Sequence, residues 1–142
     1  MTALHRSAAS VGFRGDNLDP DALTAALGGM PTVGVRKGGV WRTSRGAEKI
    51  AQRGMWRIES ERCEPADLDG QIDRLLALLT SDLEIWRALA ARYDGVLFAG
   101  LFLAEGNEGL TLAPATLAAL GERGLRLDLD IYGHETEMPQ ER

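Results

Sequence analysis

An α+β domain, with a mostly antiparallel or mixed β-sheet and helices packed on one face, is predicted by three features of this 142-residue chain. Strand-like alternation of apolar and polar residues recurs at 8–14, 54–60 and 126–134, and capped helical stripes fall between those segments. Several of the strand-like pieces are short and lie close together, which a sheet built only from parallel crossovers does not accommodate. A hydrophobic fraction of 44% supports one core at this length, so a single domain over 1–142 is expected. The order of elements permits a ferredoxin-like core plus an extra helix–strand unit.

Taken in order, AASVGFR at 8–14 reads as a first strand with Ala9, Val11 and Phe13 inward. Asp19 is an N-cap candidate, Pro20 takes the first helical position, Leu18 and Leu23 have the spacing of a hydrophobic staple, and Gly28-Gly29 stops the helix. Short extended pieces follow around Val33–Val35 and Val40–Arg42, then a basic loop over 43–53. GMWRIES at 54–60 is a strand that sends Trp56 and Ile58 to one face and Arg57 and Glu59 to the other.

The longest helical stripe starts near Asp67 and carries Leu68, Ile72, Leu75, Leu76 and Leu79. Ser81 with Glu84 has capping-box spacing for a second helix, whose apolar face is Leu83, Trp86, Leu89, Ala90 and Tyr93 and which Asp94-Gly95 ends. The apolar run Val96–Ala104 predicts a central strand buried on both faces. Pro114 opens a further helix that carries Leu117 and Leu120, and Gly121 and Gly124 close it. RLDLDIYGH at 126–134 closes the sheet, with Leu127, Leu129 and Ile131 on one face and Asp128, Asp130, Tyr132 and His134 on the other. Residues 135–142 read as a frayed tail.

These landmarks, in this order, resemble the domain of unknown function family 4279, a group of small bacterial proteins. The residues that carry the resemblance are the early strand followed by LDPDAL (18–23), LGGMPT (27–32), RKGG (36–39), GMWRIES (54–60), LLALL (75–79) and LDLDIYG (127–133). They span nearly the whole chain. The resemblance implies a compact α+β domain and brings no catalytic residue to carry over. Ala113-Pro114 departs mildly from the family pattern, which favours a polar cap at that helix start.

Charge directs attention to one segment. The chain carries a net −5, which argues against a general nucleic-acid binder. Residues 36–53, however, hold Arg36, Lys37, Arg42, Arg45, Lys49 and Arg53 against Glu48 alone, a local +5 that leaves −10 elsewhere. Trp41 stands beside these cations, where an exposed indole can anchor a partner. No stretch approaches the ~20 apolar residues of a membrane helix, so a cytoplasmic protein without membrane contact is expected. The lone Cys63 is flanked by Glu61 and Glu64, which oppose its thiolate and disfavour a catalytic cysteine.

Two functional readings follow. The first is a non-enzymatic module that recognises a protein partner, regulatory or immunity-like, through Arg36, Lys37, Trp41, Arg42, Arg45 and Lys49, joined by Arg57, Asp128, Asp130 and Tyr132, with no cofactor and a monomeric or homodimeric state. The second is a small-molecule or metal-dependent enzyme using Asp128, Asp130 and Tyr132, with His134 nearby. Strand neighbours at i and i+2 lie ~7 Å apart, so a metal there needs ligands from other segments. The chain has two histidines and none of the common nucleophile or zinc motifs, which favours the first reading. Cross-strand ion pairs are the structural role for Asp128 and Asp130, with Arg57 opposite if the last strand lies beside GMWRIES, or with Arg36 and Lys37.

Overall fold

A computed structural model describes residues 2–133. In chain order the elements are β1 (Thr2–Ala3), β2 (Arg6–Gly15), α1 (Pro20–Leu27), β3 (Val33–Val35), β4 (Val40–Arg42), β5 (Glu48–Ile50) and β6 (Gly54–Glu59), followed by α2 (Leu68–Ala77), α3 (Leu83–Arg92), β7 (Asp94–Phe102), β8 (Glu108–Gly109), α4 (Pro114–Glu122) and β9 (Arg126–Tyr132). The fold is α+β. The main sheet has the order β3-β6-β2-β7-β9, antiparallel except for the parallel pair β7/β9, while β4/β5 form a separate antiparallel ribbon and β1/β8 a short parallel pair.

The ferredoxin-like arrangement is not the one formed. β2 and β6 are direct antiparallel neighbours across α1, and β7 and β9 pair in parallel across α4, whereas that core interleaves its two βαβ units. The α2–α3 pair carries the chain from β6 over β2 to β7.

All four helices pack on one face, and its β9 end is left open, with Leu129 50% and Ile131 60% exposed. Ala9, Val11 and Phe13 of β2, Trp56 and Ile58 of β6, and Leu97, Ala99 and Leu101 of β7 meet Leu23 and Leu27 of α1, the α2 stripe, Trp86 and Leu89 of α3, and Leu120 of α4 in one core. Each local signal has a structural counterpart. The Asp19 carboxylate accepts from the Asp21 backbone N–H, Leu18 and Leu23 are both buried, and Gly28 takes a left-handed φ of 79° that closes α1. A polar strut seals one edge of this core: buried Gln71 accepts a 2.6 Å hydrogen bond from the Ser7 hydroxyl and donates to the Ser7 and Glu61 carbonyls.

The structure corrects several boundaries. The α3 cap is Asp82, whose carboxylate accepts from the Glu84 N–H, so Ser81 is not the capping residue. Asp94-Gly95 opens β7 instead of ending α3, because Tyr93 already has an extended backbone. Within the expected loop 43–53, Glu48–Ile50 forms β5 and pairs with β4. β7 is buried on both faces along most of its length, with Val96 and Phe102 at 5% and 6%, and the exception is Phe98 at 37% exposed. Leu117 is exposed while Leu120 is buried. Ala113 has no side-chain cap, and its N–H donates instead to the Asp69 carboxylate at the start of α2. His134 and the tail at 135–142 lie outside the described residues. Among the described residues, no helix is long and apolar enough to cross a membrane.

Candidate functional site

With the helices on one side, the opposite side of the sheet is left to the alternate residues of the same strands. These are Ser10, Gly12 and Arg14 of β2, Met55, Arg57 and Glu59 of β6, Val96 and Phe98 of β7, and Arg126, Asp128, Asp130 and Tyr132 of β9. A hollow of about 250 Å³ opens at its centre between Arg14, Arg57, Met55 and Phe98. Gly12 fixes how closely β2 and β6 approach there, since a Cβ on it would lie 2.2 Å from the Trp56 carbonyl oxygen and 2.6 Å from the Arg57 Cβ.

The basic segment rises over one side of this face. Gly38 and Gly39 exchange backbone hydrogen bonds with Ala51, the Thr43–Ala47 turn closes the far end, and Trp41 stands opposite Lys49 across the ribbon. Trp41 reaches the sheet, for the Arg57 guanidinium lies 5.2 Å from its ring centroid, and Arg57 is held from the other side by a 2.7 Å bond from Nε to Glu59. A second hollow of about 370 Å³ lies between ribbon and sheet, bordered by Arg14, Trp41, Lys49, Arg53, Met55 and Arg57. The two hollows share Arg14, Met55 and Arg57, so they form one elongated surface.

Charges on this surface are unequally matched. Arg53 is 3.9 Å from Asp94, and Arg126 bonds Asp94 as well as Asp128. Hydrogen bonding to Asp128, with Asp94 nearby, raises the Arg126 pKa above the ordinary arginine value. Arg14, Arg45 and Lys49 make no ion pair among the described residues, although Arg14 is the strand partner of Asp94.

Several expected residues are placed elsewhere. Arg57 does not face Asp128 or Asp130, because β2 and β7 separate β6 from β9. Arg36 pairs with Asp19 at 2.9 Å and Lys37 with Asp16 at 3.8 Å, so neither reaches the last strand. Arg42 turns away to Glu48, and Arg45 sits at the ribbon turn. Asp128 accepts from Arg126, and the Tyr132 hydroxyl donates to Asp130 at 2.5 Å while its ring stacks on Phe102. Among the described residues, no group of three or more His, Cys, Asp or Glu side chains is placed to hold a metal ion.

Of the expected residues the structure therefore gathers Trp41, Lys49 and Arg57, and it adds Arg14, Arg53, Met55 and Phe98. The added set was partly accessible to sequence reasoning: once Val11 and Phe13 point inward, Arg14 must point outward. Phe98 gives no such signal inside a continuous apolar run.

No curated protein and no solved structure matches this chain. The family model described as "Domain of unknown function (DUF4279)" matches residues 4–134. That match takes in every strand of the main sheet and the basic ribbon, and the chain belongs to the DUF4279 family.

Proposed function

We propose that this chain is a small bacterial cytoplasmic binding module, non-enzymatic and regulatory or immunity-like, that recognises a protein partner through its helix-free sheet face and basic ribbon. The observation that carries this reading is the elongated surface itself. It combines a partly exposed phenylalanine, Phe98, and the half-buried Met55 with an indole and two cations, Arg14 and Lys49, that make no ion pair among the described residues. Aromatic and arginine side chains of this kind are the usual anchors of protein interfaces. The carboxylates of the last strand are engaged with Arg126 and Tyr132, an arrangement that serves strand cohesion.

Position-specific photocrosslinking in the native host tests the reading. A photoreactive residue at Phe98 is expected to yield a discrete adduct, and one at Leu78, exposed on the helix side, is expected to yield none. Adducts from Leu78 alone, or equal and diffuse adducts from both, would overturn it.

A further inference from the structure

We infer that the occupant of this surface is an extended acidic segment of the partner protein, which lays an apolar side chain against Phe98 and Met55 and its carboxylates beside Arg14, Lys49 and Arg53. The inference rests on the partner-surface reading and adds the chemistry of what binds.

Three observations support it. The first is charge complementarity. Arg14 and Lys49 border the elongated surface without ion pairs among the described residues, and Arg53 reaches its nearest carboxylate, Asp94, only at 3.9 Å. Among the described residues Glu59 is the one acid lining either hollow, and it is bonded to Arg57. An incoming carboxylate therefore meets two cations, Arg14 and Lys49, with no internal ion pair to surrender, and a third, Arg53, whose pair with Asp94 is long at 3.9 Å, which lowers the cost of pairing.

The second is shape. The central hollow, at about 250 Å³, is smaller than most pockets that enclose a small molecule, yet it continues into the neighbouring hollow of about 370 Å³. A strip of this kind suits a chain in extended conformation, whose side chains alternate between the hollow and the rim. The third is the limit of the positive region. Toward β9 the same face carries Asp94, Asp128 and Asp130, so a long polyanion lying across the sheet would run from cations onto carboxylates. A short acidic segment occupies the positive end without that conflict.

Binding of defined peptides to the full chain tests this. The probes are a fluorescent heptapeptide of glutamates around a central leucine, its lysine counterpart, and a single-stranded DNA 12-mer, followed by anisotropy. Trp41 provides a second signal, because Trp56 and Trp86 are fully buried. The acidic peptide is expected to bind at least about tenfold more tightly than the lysine peptide and to weaken as salt is raised. The double variant Arg14→Glu/Lys49→Glu should lose about tenfold in affinity, while Lys49→Arg should retain binding.

Equal binding of both peptides, no binding of the acidic one, insensitivity to the double variant, or tighter binding of the DNA would each overturn the inference. The two readings fail separately. A Phe98 adduct together with a silent acidic peptide removes the charge chemistry and leaves the partner surface standing, whereas absence of both removes the surface.

Discussion

Phe13, Trp56 and Leu97 lie on the helix-covered face with at most 1% of their surface exposed, while Arg14, Arg57 and Phe98, each the next residue in sequence, lie on the opposite face in contact with solvent. One set is buried among helices, and the other borders hollows. Because side chains alternate along a strand, a single strand serves both ends at once. The covered residues supply hydrophobic stabilisation, roughly 25 cal/mol for each Å² removed from water. Exposed residues contribute less of that kind, and so they are free to carry charges and a partly exposed phenylalanine suited to recognition.

Substitutions can break this contrast, beginning with the largest effect. Trp56→Ala, which empties a fully buried site and removes the Nε1–H bond to Thr24, should cost ~3–5 kcal/mol in urea unfolding. Gly12→Ala is the instructive exception on the open face. Its new methyl has no room between β2 and β6, so a loss of ~1–3 kcal/mol is expected there despite the neighbouring solvent-exposed surface. A thermal midpoint unchanged from the parent would show that the strands relax apart at no cost.

Gln71→Leu should cost a comparable ~1–3 kcal/mol, since the Glu61 carbonyl and the Ser7 groups lose partners at the buried edge. At the small end, Arg14→Glu and Lys49→Glu should each change stability by less than ~0.5 kcal/mol while altering peptide affinity. Destabilisation above 1 kcal/mol by either would mean that the two faces do not divide their labour.

Sequence patterns revealed the covered face better than the open one, for a physical reason. Burial by helices imposes a period on Leu68, Ile72, Leu75 and Leu76, and capping imposes residue types on Asp19 and Asp67, so both leave marks within one segment. Strand order leaves no such mark. Whether β9 lies beside β6 or β7 depends on how α2, α3 and α4 cross the sheet, and that choice separates Arg57 from Asp128. Phe98 is hidden in the sequence for a related reason. The run is buried on both faces at Val96 and Phe102, and nothing in its composition marks the one position left partly open.

Local charge balance was also legible, and its consequence was only partly so. Residues 36–53 do carry the basic excess, yet Arg36, Lys37 and Arg42 are taken by Asp19, Asp16 and Glu48. Exposed pairs of this sort contribute ~0–1 kcal/mol, too little to dictate the ribbon's shape but enough to withdraw those cations from the site. The cations that remain come partly from outside the basic segment, with Arg14 contributed by β2.

The most direct test asks whether Trp41 sits in positive potential on a chain of net charge −5. Trp56 and Trp86 are shielded from solvent, so collisional quenching of tryptophan fluorescence reports on Trp41. At matched ionic strength, iodide should quench more strongly than caesium, and Lys49→Glu should narrow the difference. Caesium quenching equal to or stronger than iodide quenching in the parent protein would contradict the assignment of this face as the docking site for an acidic partner.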